Sequence, residues 1–322
     1  MKVRFWGTRG SIPVALTAPQ IRAKLIAAFT QAIGRQLDNA ESITHFVDHE
    51  LGFDVAGTFG GHSSCVQIEA AQPNSGEHLI CDMGSGARPL GQAMISRFGP
   101  GRGQTYHVFM SHLHWDHIMG FPFFTPVYIP GNRIVIHGCH AQLEHAFRRQ
   151  QATPSFPVEF TELAAKIEFD TLRSGETREI AGFQVTAKKQ LHGGDSYGYR
   201  FERDGKVVVY STDSEHKLDN AEERNGFADF FRGADLVIFD AMYSLADAIS
   251  VKADWGHSSN IVGVELCQLA GARRFCMFHH EPAADDAAIA AILAETRRFE
   301  EITRAAVPLE VLTAYDGLEV AL

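Results

Sequence analysis

The chain has 322 residues, 45% of them hydrophobic, and a formal net charge of −10 with a sequence pI near 5.9. That is enough for a large core, and the acidic balance excludes broad, sequence-independent attraction to nucleic acid, though not a small local site for one phosphate. No run reaches the length of a membrane span, the first residues alternate like a strand rather than a signal peptide, and the five cysteines show no CxxC spacing. They read as small buried hydrophobes in a reducing compartment, with the cytoplasm as the default.

In chain order, Lys2 to Trp6 alternates as a strand and ends at the turn Gly7-Thr8-Arg9-Gly10-Ser11. Ile21, Leu25, Phe29, Ile33 and Leu37 then recur every four residues opposite Arg22, Lys24, Gln31, Arg35 and Gln36, which predicts an amphipathic helix. A second helical stretch covers about 40–51. Together, residues 17–56 read as a helical insert between the first two strands. It either packs on the core, caps a site or forms a contact in a homodimer. Val66–Ala70 and Leu79–Asp82 read as paired strands around Pro73-Asn74-Ser75-Gly76. Helices are predicted over 87–98, 140–151, 260–270 and 285–304, and strands over Arg133–Gly138, Phe183–Lys189, Tyr197–Phe201, Val207–Asp213, Leu236–Asp240 and from Arg274. Leu309 to Leu322 reads as a closing strand pair around Asp316-Gly317. The aromatic stretch 121–126 either walls a pocket or, as packing favours, fills the core. With no repeat or linker, 1–322 reads as one domain with an insert.

The chemistry concentrates in Ser111-His112-Leu113-His114-Trp115-Asp116-His117, just past the apolar strand Tyr106–Met110. Three histidines and a carboxylate fall within six residues. On an extended backbone His112 and His114 project to the same side and reach one ion, while Asp116 and His117 come one turn later and can face another. Zinc takes imidazole nitrogen and carboxylate oxygen at about 2.0–2.2 Å. Downstream, His192 lies past the strand ending at Lys189 and is followed by two glycines. Asp213 sits at a strand end and has two oxygens to share between cations. Asp240 ends a similar strand. His257, near a helix N-terminus, is placed to face an anion. Arg274 to Phe278 ends in His279-His280. Asp82, at another strand end, can orient a metal-bound histidine.

These residues resemble the metallo-β-lactamase-fold hydrolases. The HxHxDH motif matches His112, His114, Asp116 and His117, and the later ligands match His192, Asp213 and the His279-His280 pair. Gly7-Thr8-Arg9-Gly10-Ser11, Asp82-Met83-Gly84-Ser85-Gly86 and Gly256-His257-Ser258-Ser259 resemble the phosphodiesterase branch, which includes tRNA 3′-processing endonucleases and cyclic phosphodiester hydrolases. The resemblance implies an α/β fold, a four-layer αββα sandwich of two mixed sheets, with the helical insert near the N-terminus. It also implies two divalent ions, zinc foremost with manganese or iron admitted. His112, His114 and His192 would hold one ion, Asp116, His117 and His279 the other, with Asp213 as the bridge. His279 is preferred over His280 as the first residue past the strand. Asp116 and His257 are the expected catalytic residues, His257 facing the scissile phosphate, in an attack by a hydroxide held between the ions. No Gly/Pro-rich tRNA-gripping arm is present, so the expected substrate is a small or cyclic phosphodiester. A lactone, thioester or β-lactam, or tRNA 3′ processing, is the alternative.

Overall fold

Residues 1–71, 76–217, 219–243, 256–304 and 307–322 of the computed structural model are described. Residues 73–75 of the expected turn after Ala70, and Asp254 and Trp255 before Gly256, lie outside them. Strand alternation sets the architecture. In β1 (Lys2–Gly7), Val3 and Phe5 are fully buried while Lys2 and Arg4 are only partly so, because successive side chains take opposite faces.

Two mixed sheets of seven strands form. The first contains β1, β2 (Cys65–Glu69), β3 (Glu77–Cys81), β4 (Thr105–Phe109), β5 (Arg133–Gly138) and β6 (Lys166–Thr171), with β14 (Glu319–Ala321) on the outer side of β1. The second runs from β7 (Thr177–Ile180) through β8 (Phe183–Gln190), β9 (Ser196–Arg203), β10 (Lys206–Ser211), β11 (Leu236–Asp240) and β12 (Arg274–Phe278) to β13 (Glu310–Thr313). The tail is therefore not a strand pair. β13 pairs in parallel with β12, whereas β14 pairs antiparallel with β1 in the opposite sheet. The Asp316-Gly317 turn carries the chain from one layer to the other.

The sheets face each other across one apolar layer. Phe5, Val66, Leu79 and Phe109 from the first meet Phe183, Tyr199, Phe201, Tyr210, Ile238 and Phe278 from the second. The outer face of the first sheet is covered by α4 (Ala87–Phe98) and α6 (Leu143–Gln150), through residues such as Leu90, Met94 and Phe147. The outer face of the second is covered by α7 (Ala221–Phe231), α8 (Asn260–Ala270) and α9 (Asp286–Thr303). This is the αββα sandwich. α7 was not foreseen, because Glu222, Glu223, Arg224 and Asn225 open it with a polar run and its apolar face is confined to the last turns.

Three helices stand between β1 and β2: α1 (Ala18–Ala32), α2 (Ala40–His49) and α3 (Phe53–Ala56). α1 ends before Leu37, at Gly34, whose φ of +79° is a conformation that glycine adopts without strain. Its apolar stripe does not pack on the core: Phe29 is 73% and Ile33 80% exposed. The opposite edge faces the body, where the Lys24 ammonium lies 2.6 Å from Asp286 and donates to the Gly57 carbonyl at 2.9 Å. The aromatic stretch after the histidine motif follows the packing expectation in Phe121 and Phe124, which are fully buried.

Strand direction decides where loops gather. β3, β4 and β5 run parallel, as do β10, β11 and β12. Their C-terminal ends therefore share one edge of each sheet. In open sheets with this pattern, ligands bind outside those ends.

Candidate metal centre

Six loops at that edge deliver the polar residues. Asp82 follows β3, Ser111 to His117 follow β4, His192 follows β8, Asp213 follows β10, Asp240 ends β11 and His279 follows β12. Asp82, Asp213 and His279 have φ of 58°, 49° and 61°. Non-glycine residues rarely adopt this left-handed conformation, at a cost of order 1 kcal/mol each or more, and it persists where the surroundings over-determine it. Here it turns each side chain back across the strand end.

Asp213 lies at the centre. Its Oδ1 is 3.6 Å from His112 Nε2 and 3.8 Å from His192 Nε2. Its Oδ2 is 3.2 Å from His117 Nε2 and 3.3 Å from His279 Nε2. The carboxylate thus divides the imidazoles into two groups. His114 Nδ1 joins the first, 3.4 Å from His192 Nε2. Asp116 joins the second, with Oδ2 3.2 Å from His117 and 3.4 Å from His279. Ligand atoms of His112, His114 and His192 lie within 4.8 Å of one another, as do those of Asp116, His117 and His279.

The set fits divalent cations. His112 Nε2 is fully buried, has no hydrogen-bond partner and points into the cluster. Burial, with His117 alongside, holds the pKa of His112 well below its ordinary value, keeping a lone pair available. Burial also opposes charge on His117, but Asp116, Asp213 and Asp82 outweigh it and drive its pKa up. A buried group of carboxylates that forces a proton onto an imidazole is one that calls for positive charge.

His117, His192 and His257 are oriented from behind. Asp82 accepts from His117 Nδ1 at 2.7 Å, from the Ser111 amide at 2.8 Å and hydroxyl at 2.6 Å, and from the Tyr210 hydroxyl at 2.7 Å. His192 Nδ1 is 2.7 Å from the Gly256 carbonyl. A Cβ on Gly256 would stand 2.6 Å from that nitrogen, and its φ is +82°, so both space and backbone require glycine. His257 Nδ1 is 2.7 Å from Asp240 Oδ2, and its ring stacks on His279 at 5.2 Å. Burial disfavours a charged His257, yet Asp240 raises its pKa to about 9.

His280 stands apart from the cluster. Its Nε2 pairs with the Ala314 carbonyl at 2.8 Å, and burial lowers its pKa to about 4. In the Gly7–Ser11 turn, Arg9 is a buried clamp on the carbonyls of Gly60, Glu281 and Ala284, and only Ser11 reaches the cleft. Ser111, Tyr210 and the Gly256 carbonyl went unread in the sequence as orienting groups. Tyr210 offered a hint, since a tyrosine inside an apolar strand must place its hydroxyl on a partner.

A cleft of about 510 Å³ opens over the cluster, lined by His114, Asp116, His192, Asp213 and His257 with Ser11, Leu113 and Trp115. Fold and site together define a metallohydrolase. Residues 89–280 match the family model of the beta-lactamase superfamily domain, and the chain belongs to that superfamily. It is similar to a ribonuclease Z of Haloarcula marismortui, 27% identical over 46% of this chain and 48% of the relative, so it spans about half of that relative's length. It is also similar to a ribonuclease Z of Halorubrum lacusprofundi, 24% identical over 69% of this chain and 85% of the other. The metallo-beta-lactamase fold protein YhfI from Bacillus subtilis shares the fold, with a TM-score of 0.63, 16% identity and coverage of 99% and 98%. Among the described residues, no helix is long and apolar enough to cross a membrane.

Proposed function

We propose that this chain is a metal-dependent phosphodiesterase acting on a small or cyclic phosphodiester. His112, His114 and His192 would hold one divalent ion and Asp116, His117 and His279 a second, with one oxygen of Asp213 toward each. Imidazole-rich donors suit zinc, and the carboxylates admit manganese or iron. Such ions acidify water and offset charge on phosphoryl oxygens.

The observation that carries the reading is His257 on the cleft wall beside the donors, backed by the buried Asp240. Asp240 fixes Nδ1 and favours the protonated ring, leaving the other nitrogen to donate to a leaving oxygen. Asp82 and the Gly256 carbonyl hold His117 and His192 in place. A carbonyl ester with a good leaving group has less need of such an acid. The ribonuclease relatives support a phosphodiester as the scissile group. They also favour a second reading, an RNA endonuclease, which the charge of −10 opposes. Five free cysteines, all but Cys139 buried, fit a cytoplasmic protein.

The test is hydrolysis of bis(p-nitrophenyl) phosphate before and after chelation, with metal content read on the same sample. A lactone, a thioester, a β-lactam and a precursor tRNA are run alongside. Chelator-sensitive turnover of the phosphodiester is the expected result, and turnover confined to the carbonyl esters sinks the reading. His257→Ala should keep its metal and lose turnover by about 10²–10⁴-fold, the usual scale for general acid–base help. Full activity in that variant removes His257 from the mechanism.

A further inference from the structure

Trp115 is the part of the cleft that metal binding leaves unexplained. It opens α5 (Trp115–Ile118), between His114 and Asp116. Asp116 is turned in and 6% exposed, whereas the Trp115 side chain is turned out and 81% exposed. Single exposed hydrophobic residues are common and need no function. This one differs in two respects. It is one of the residues that line the 510 Å³ cleft over the donors, as is Leu113. Its backbone is also fixed: the Trp115 carbonyl accepts from the Met119 amide at 2.7 Å, and the next carbonyl, that of Asp116, accepts from the Ser63 hydroxyl at 2.7 Å. An exposed indole on a fixed backbone beside a site offers a broad amphipathic face with only two side-chain torsions to order on contact.

We propose that Trp115 is a stacking platform for a heteroaromatic ring carried by the substrate, a nucleobase whose sugar links it to the phosphodiester at the metal donors. The proposal rests on the phosphodiesterase reading above and names the substrate class, a small nucleotide. The cleft is open, and its volume falls in the range of small-ligand sites. Stacking uses the π-face that every base has, so the platform accepts purines and pyrimidines with little distinction.

Two measurements test it. The first is independent of turnover. The metal-loaded protein is titrated with adenosine 5′-monophosphate and with ribose 5-phosphate while tryptophan emission is followed. The chain has three tryptophans, so Trp115→Phe, which keeps a ring and removes this emitter, identifies the source. The nucleotide should quench emission in the wild type and not in Trp115→Phe, and ribose 5-phosphate should do neither. Equal responses to the two ligands, or quenching that survives Trp115→Phe, overturn the proposal. The second compares thymidine 5′-(p-nitrophenyl phosphate) with methyl p-nitrophenyl phosphate, which share a leaving group. Trp115→Ala should reduce the preference for the nucleoside substrate by about 5- to 150-fold, the range that base–aromatic stacking corresponds to. The loss should fall on KM, and Trp115→Tyr should restore most of it. An equal loss on both substrates overturns the proposal by making Trp115 structural. Nucleotide-specific quenching without hydrolysis of either substrate would refute the phosphodiesterase reading and leave the platform standing.

Discussion

The strand-end loops and the helical segment between β1 and β2 carry equally regular sequence patterns, yet only one pattern specified its surroundings. In the loops, the spacing of His112, His114, Asp116 and His117 supplies two donors to each of the two groups, and further contacts hold several of the residues there. His117 leans on Asp82, His192 on the Gly256 carbonyl, and Asp213 faces both groups of imidazoles. In α1, the four-residue period of Ile21, Leu25 and Phe29 correctly gave a helix with one apolar face. A period says nothing about what covers that face, and these residues are exposed. Directional, mutually satisfying contacts leave little freedom of placement, whereas a hydrophobic stripe is satisfied by any apolar cover.

The largest effect belongs to Asp213, whose two oxygens face the two groups. Asp213→Ala should abolish bound metal, measured by elemental analysis after dialysis, and activity with it. Metal retained at the wild-type level would mean that the two groups of imidazoles are held independently. Asp82→Ala should be milder. It removes the acceptor for Ser111, His117 and Tyr210 without touching a donor atom of the cluster. Metal affinity should fall about 10–100-fold, the usual cost of losing an orienting partner. Stability should fall by about 3 kcal/mol, because buried polar groups lose their partner. Chelator competition and urea unfolding separate the two. A variant that loses stability but binds metal as before would make Asp82 a core residue only.

Asp213 and His279 mark how far the sequence could be read. Asp213 was legible because a strand-end carboxylate in the right order after an HxHxDH motif has few other uses, and His279 because it follows its strand directly. His280 stood one residue further on, and only the left-handed turn at His279 separates them, sending one ring to the cluster and the other to the Ala314 carbonyl. Individual strands were legible from alternation and apolar runs, whereas their division into two mixed sheets was implied by the family resemblance. The path of the tail was not legible, because a turn looks the same in sequence whether it joins neighbours in one sheet or, as at Asp316-Gly317, spans two. The carbonyl of Gly256 was invisible for a simpler reason: backbone acceptors leave no residue-type signature.

A buried histidine away from the cluster gives a smaller, pH-dependent effect. His216 packs against Phe227 at 4.2 Å and Phe239 at 5.1 Å, and neither ring nitrogen has a hydrogen-bond partner. Burial depresses its pKa from 6.5 to about 3. The unfolded chain therefore takes up a proton between those values that the folded chain refuses. Stability from this residue is fully present above about pH 6.5 and is lost as the pH falls toward 3. Between pH 7.5 and pH 5 the loss should be about 2 kcal/mol. His216→Phe, which keeps an aromatic ring in the same apolar surroundings, should show a correspondingly smaller change in urea unfolding between the two conditions. Identical acid sensitivity in both proteins would place the effect elsewhere.

The smallest effect tests the other side of the comparison. Phe29 and Ile33 are the most exposed large apolar residues of the helical segment, and α1 is held to the body through Lys24 on its opposite edge. Phe29→Ser and Ile33→Ser remove apolar surface that water already reaches, so each should change the unfolding free energy by no more than about 0.5 kcal/mol. Lys24→Ala should cost more than either, because it leaves Asp286 buried without its cation and two carbonyls without a donor. The ranking is the informative quantity. If Phe29→Ser destabilises more than Lys24→Ala in dilute solution, the stripe is covered in the folded state, and the contrast between a specified site and an unspecified helix face fails.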